Sequence, residues 1–143
     1  MKEFVLDNSV VMRWLLQSPK KSDQVYAEEV LQCLIIEKAL VPNLWHLEAC
    51  NVLLGAEKRS QVSVGEVEGF IAQLGNLPIR VDSLTSNSAF TRTMSLARAY
   101  KLSSYDAAYL ELAVRERIPL ATLDKNLIRA AKRASVEIYG LSR

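Results

Sequence analysis

Four acidic residues stand where the surrounding pattern is apolar. Asp7 ends Phe4-Val5-Leu6, Glu48 follows Leu44-Trp45-His46-Leu47, Asp106 opens Ala107-Ala108-Tyr109-Leu110, and Asp124 ends Leu120-Ala121-Thr122-Leu123. An ionised acid taken out of water is costly unless it is paired, protonated or bound to metal. The chain has one histidine and no cysteine beside the acids, so a shared site would be all oxygen, which favours Mg²⁺ or Mn²⁺ over zinc. Such a site suits phosphodiester hydrolysis: a metal lowers the pKa of a bound water and neutralises phosphate charge. No nucleophilic side chain suggests itself, so water is the expected attacker.

Each acid also has a structural reading. Asp124 can cap the helix that follows. Asp106 can be the acid of a Ser103-x-x-Asp106 capping box, and Asp7 a turn or cap acid before Asn8-Ser9. Glu48 has no capping role, although Arg59 or another cation can be its partner.

Positioning the four falls to an alternation of short β-prone and longer helical segments. The candidate strands are Glu3–Leu6, Leu40–Val41, Pro78–Val81, Leu120–Thr122 and Val136–Tyr139. The helices are expected over Ser22–Lys38, Asn43–Lys58, a segment opened by the capping box Ser63-Val64-Gly65-Glu66 and stopped by Gly75-Asn76, Ser86–Tyr100, Ser103 or Ser104 to Arg117, and Lys125–Ala134. Val25, Val30, Leu31, Leu34 and Ile35 form the expected buried side of the first of these, and Val67, Phe70, Ile71 and Leu74 that of the third. Alternation of this kind predicts a three-layer α/β/α fold with a mostly parallel sheet of about five strands, because parallel neighbours need helical crossovers. Ligands of open α/β sheets sit beyond the carboxyl ends of the strands. Asp7 and Asp124 each follow such an end and would meet if the first and fourth strands are neighbours.

The 143 residues suit one domain, 1–143, with an ordinary apolar content of 50%. A formal net charge of +2 gives no strongly basic module, so any nucleic-acid site must be a local patch. Cys33 and Cys50 lie in apolar helical runs without CxxC spacing and are expected as core thiols of a reducing cytoplasm. The run before Asp7 is too short for the apolar core of a signal peptide, and no stretch approaches a membrane span, so the expected location is cytoplasmic.

The sequence resembles the PIN domain, most closely the VapC-type toxin ribonucleases of prokaryotic toxin–antitoxin pairs. The resemblance is carried by Phe4-Val5-Leu6-Asp7-Asn8-Ser9-Val10-Val11-Met12-Arg13-Trp14-Leu15, by Glu48 after Val41-Pro42, by Leu102-Ser103-Ser104-Tyr105-Asp106-Ala107-Ala108-Tyr109, and by Leu120-Ala121-Thr122-Leu123-Asp124. It implies Mg²⁺- or Mn²⁺-dependent endonucleolytic cleavage of RNA, with Asp7, Glu48, Asp106 and Asp124 as the catalytic and metal-binding acids and Asp7 and Asp106 as the principal ligands. Ser9 and Thr122 match positions that orient carboxylates. Asn126 is a departure, since many relatives carry a further acid near it; an amide there bears on whether a second metal is held. The resemblance also implies a cognate antitoxin and a homodimer.

Arg13 and Lys125 are the leading substrate contacts, with Arg98, Lys101, Arg129, Lys132 and Arg133 flanking the acids either as phosphate contacts or as a solvated face. Tyr105 is a candidate for base stacking, Trp14 is expected in the core, and His46 on a helix surface or packed. Val30–Ile36 and Val52–Leu54 are apolar on more than one face, as for a helix buried on both sides or against another chain. The competing readings are a non-catalytic PIN-like module that binds RNA or protein, and another Mg²⁺-dependent phosphoryl hydrolase. Asp7 lacks the Asp-x-Asp of haloacid-dehalogenase-like phosphatases, and the paired N-terminal acids of a receiver domain are missing.

Overall fold

The computed structural model describes residues 2–140. Four strands, β1 (Glu3–Leu6), β2 (Lys38–Val41), β3 (Ile79–Val81) and β4 (Leu120–Ala121), form one parallel sheet in the order β3-β2-β1-β4. Phe4, Val5, Leu6, Ala39, Val41, Leu120 and Ala121 are fully buried. Strands apolar on both faces are those a parallel sheet needs between two helical layers, and the fold is the three-layer α/β/α arrangement. The fifth expected strand is reduced to a single parallel bridge, Ile138 to Leu120, closed by Leu120 N–H to Glu137 O and Tyr139 N–H to Leu120 O, each 2.9 Å.

Between the strands run α1 (Asn8–Val11, extended by a 3₁₀ turn to Trp14), α2 (Lys21–Cys33), α3 (Trp45–Lys58), α4 (Val64–Leu74), α5 (Thr85–Ser88), α6 (Met94–Tyr100), α7 (Ser104–Glu116) and α8 (Lys125–Arg133). The Ser63–Glu66 capping box forms in full and opens α4. α2 stops at Cys33, short of Lys38: Leu34, Ile35 and Ile36 close tight turns onto Leu31 O, Gln32 O and Cys33 O, and the Lys38 N–H is already in the sheet, on Lys2 O. Its buried side is Tyr26, Ala27 and Val30; Val25 and Ile35 are exposed, contrary to the expected stripe. Ile71 of α4 is likewise exposed, while Val67 and Phe70 are buried.

The helix expected over Ser86–Tyr100 is broken into α5, a π-helical turn at Ala89–Thr93, and α6. Arg92 holds this turn, reaching Ser88 Oγ at 3.1 Å and Glu111 Oε2 of α7 at 3.3 Å. Below it, Arg115 makes ion pairs with Asp82 (2.7 Å) and Glu111 (3.0 Å), which ties the end of β3 to α7. Burial alone would raise the pKa of Asp82, but the hydrogen bonds from Arg115 and Thr85 outweigh it and hold the carboxyl below its ordinary range. Cys33 is half-buried and Cys50 exposed; both are free thiols, and neither is the core residue expected. Trp14 is partly buried against the core and donates from its indole to Ala27 O at 2.7 Å. Among the described residues, no helix is long and apolar enough to cross a membrane.

Candidate metal centre

β1 and β4 are neighbours, so the chain leaves both at the same edge, and the Asp7 N–H is held by Ala121 O at 3.0 Å. Asp7 is buried. It occupies the N-cap of α1 in backbone conformation, yet its side chain caps nothing. Its Oδ2 instead accepts from Ser9 Oγ (2.6 Å) and Thr122 Oγ1 (2.8 Å). Each hydroxyl is itself an acceptor, for Leu123 N–H (2.9 Å) and Asp124 N–H (3.1 Å) respectively. Backbone amides of the β4–α8 connection are thereby relayed through hydroxyls onto one carboxylate oxygen. The assignment of Ser9 and Thr122 as orienting residues fits this geometry.

Asp124 caps α8, its Oδ1 accepting from Leu127 N–H at 2.9 Å. The capping role and a place in the cluster coexist, since a carboxylate has a second oxygen. Asp106 lies in the first turn of α7, whose N-cap Ser103 accepts the Asp106 N–H at 3.1 Å. Glu48 lies in the first turn of α3; its Oε1 accepts from Tyr109 Oη at 2.6 Å and from Asn8 Nδ2 at 3.3 Å. Arg59 does not reach it and bonds Gln61 instead.

Asn8 and Tyr109 were not singled out in the sequence. Asn8 also donates to Trp45 O at 3.3 Å, anchoring the start of α3, and both residues are buried. A signal was available: a polar side chain directly after an acid at a strand end, and a tyrosine one turn after Asp106 on the same helical face.

The four acids feel one another. Burial raises the Asp7 pKa to about 6, Glu48 and Asp124 add to the rise, and the hydroxyls of Ser9 and Thr122 work against it. Burial likewise raises Asp106 to about 6, followed by the charges of Asp7 and Asp124. Glu48 is raised by burial and then by Asp106, against the donors Tyr109 and Asn8. Burial and the surrounding acids push the Tyr109 hydroxyl far up, so it stays a protonated donor. Among the described residues, no lysine or arginine forms an ion pair with any of the four, in contrast to Asp82 and Glu111 with their arginine. Among the described residues, no group of three or more His, Cys, Asp or Glu side chains is arranged so that it could hold a metal ion as it stands. The chemistry of the donors nonetheless suits a hard divalent cation: they are carboxylate oxygens with no lysine or arginine paired to them, and hydroxyls hold one oxygen of Asp7.

Of the remaining expected site residues, Asn126 and Lys125 are exposed in the first turn of α8, and Arg13 is half-buried at the end of α1. Asn126 Oδ1 accepts from Arg129 at 3.4 Å, which places the amide on the outer face of the helix. Tyr105 is exposed beside Asp106, and His46 is exposed with its ring edge-on to Trp45.

Residues 4–133 match the PIN domain, and the chain belongs to that family. PIN domains are in general metal-dependent nucleases that use divalent cations. Among solved structures, the crystal structure of PAE2754 from Pyrobaculum aerophilum superposes with a TM-score of 0.64 over 90% of this chain and 86% of that one, at 18% identity. That likeness is one of fold. No curated protein matches the sequence significantly.

Proposed function

We propose that this chain is an endoribonuclease that hydrolyses RNA phosphodiester bonds with Mg²⁺ or Mn²⁺, and that it is the VapC-type toxin of a toxin–antitoxin pair acting in the cytoplasm. The observation that carries the reading is the meeting of Asp7, Glu48, Asp106 and Asp124 at one sheet edge with no cation of the chain to neutralise them. Asp7 and Asp106 are the principal ligands, with Glu48 and Asp124 completing the set. A divalent cation bound there supplies an activated water and screens the phosphate. Ser9 and Thr122 fix the Asp7 carboxylate in one rotation, and Tyr109 and Asn8 do the same for Glu48. Arg13 and Lys125 hold substrate phosphates at the rim.

The partner reading is supported by a groove of about 580 Å³ between α3, α4 and β3, walled by Trp45, Leu53, Leu54, Ile71 and Ile79 and rimmed by Glu57 and Glu68. An antitoxin segment and a second copy of the chain are the proposed occupants of such apolar surface, together with the exposed Ile35 and Ile36. The test of the activity is labelled structured RNA incubated with protein in Mg²⁺, in Mn²⁺ and in chelator, comparing wild type with Asp7→Asn and Asp106→Asn. Metal-dependent cleavage lost in both variants is the expected result; cleavage that survives both overturns the mechanism.

A further inference from the structure

Charge is divided unevenly along this chain. Residues 83–105 and 125–136 hold seven of the eighteen basic residues and none of the sixteen acids, which leaves the rest with eleven cations against sixteen acids. The near-neutral total hides a basic ridge on α6 and α8. Arg98 and Lys101 of the α6 end and Lys125, Arg129, Lys132 and Arg133 of α8 are all exposed, and none of the six makes an ion pair among the described residues.

A helix face that is merely solvated usually alternates sign, with acids three or four residues from bases. α8 does the opposite: Lys125, Arg129 and Arg133 follow one another at intervals of four on one face, where like charges repel, and Lys125 sits at the end of the helix that disfavours a cation. Leu127, Ala130 and Ala131 fill the inner face, so the core does not call on these side chains. The two helices form one surface, since the Arg133 guanidinium lies over the Tyr100 ring at 5.7 Å from its centroid. The ridge starts at the acid quartet, since α8 opens at its cap Asp124, and the segment after Lys101 leads along the chain to Ser103 and Asp106 at the start of α7.

Resting on the nuclease reading of that quartet, we propose that the α8–α6 ridge is the track for single-stranded RNA on one side of the scissile bond. Lys125 takes the phosphate nearest the acids, and Arg129 and Lys132 take those further along. Exposed Tyr105, beside Asp106, is placed to stack on an unpaired base at the entry. The ridge contacts phosphates and carries no base-reading geometry, so it sets affinity and direction and leaves sequence choice to the site's mouth.

The test is binding without cleavage. Fluorescent single-stranded RNA is titrated in chelator with Asp7→Asn protein and with the same protein carrying Lys125→Gln, Arg129→Gln and Lys132→Gln, at salt from about 50 to 200 mM. A control carries Lys20→Gln, Lys21→Gln and Lys58→Gln, the same charge change at exposed positions of the α2 start and the α3 end. The ridge triple is expected to lose at least about tenfold in affinity and to flatten the log–log salt slope by about 2, as three fewer single-strand phosphate contacts require. The control is expected to keep both. A ridge triple that binds like its parent, or two triples that weaken equally, overturns the proposal. Loss of binding to poly-glutamate with RNA binding retained also overturns it, in favour of an acidic protein partner. Arg129→Gln alone, with about a third of the slope change, serves if the triple does not melt cooperatively. Failure of the nuclease reading is seen elsewhere, as RNA cleavage by Asp7→Asn itself.

Discussion

Replacing Asp7 by Asn should stabilise the metal-free protein while abolishing its chemistry. Asp7 is 6% exposed, and its pKa is raised from 3.8 to about 6, chiefly by burial. An acid with a raised folded pKa contributes stability that is fully present below the unfolded value near 3.8 and is lost as pH rises through about 6. At 1.36 kcal/mol for each tenfold change in proton affinity, the ionised carboxylate costs the folded state about 3 kcal/mol at pH 8. Asn carries no such cost. Its amide oxygen, in the place of Oδ2, still accepts from Ser9 and Thr122, and its amide nitrogen faces the other acids. In chelator at pH 8, denaturant melts should therefore show Asp7→Asn more stable by up to about 3 kcal/mol, a gain that shrinks towards zero by about pH 4. Added Mn²⁺ at about a thousand times its Kd should reverse the order, because binding then stabilises the wild type by about 4.1 kcal/mol, whereas the variant lacks the proposed Asp7 ligand. An Asp7→Asn protein less stable than wild type at pH 8 in chelator, by an amount indifferent to pH, would refute the reasoning and make Asp7 a hydrogen-bonded anchor of the sheet edge.

Tyr109→Phe removes the 2.6 Å donor to Glu48 and should cost about 1–2 kcal/mol of stability and about ten- to a hundredfold in metal affinity, read by Mn²⁺ titration. Arg115→Met strands Asp82 as a buried acid without its cation and leaves Glu111 only the exposed Arg92, and should cost about 3–5 kcal/mol at pH 7. The depressed pKa of Asp82 means that its stabilisation is present above the ordinary carboxylate pKa and lost as pH falls, so the gap between variant and wild type should narrow in acid melts. Ser63→Ala opens the capping box of α4 and should cost about 1 kcal/mol with RNA cleavage unchanged.

The strand ends were legible in the sequence because fully buried parallel strands must be apolar throughout, so an acid at the end of Phe4-Val5-Leu6 or Leu120-Ala121-Thr122-Leu123 marks both the boundary and the site. Glu48 was legible for want of a capping role, and the structure gives it hydrogen bonds from Tyr109 and Asn8 in the first turn of α3 but no cation. What the sequence did not show depends on tertiary partners. Asn8 and Tyr109 stand out locally only by their place beside an acid, and their partner Glu48 is fixed only where α1, α3 and α7 meet. The break of the expected 86–100 helix follows from Arg92 reaching Glu111 nineteen residues away, and no local propensity encodes that reach. Val25 and Ile71 misled for a related reason: helical periodicity gives the apolar face but not which part of it the rest of the chain covers.

The relay that fixes Asp7 joins residues 115 positions apart. A nascent chain that has emerged only through α7 already carries Asp7, Glu48 and Asp106, yet β1 lacks its β4 neighbour, and Asp7 lacks both the Thr122 hydroxyl and the company of Asp124. The centre closes only once β4 and the turn into α8 have been made. If the chain is the ribonuclease proposed above, that ordering is a safeguard of biosynthesis: the enzyme stays incomplete until β4 has joined β1.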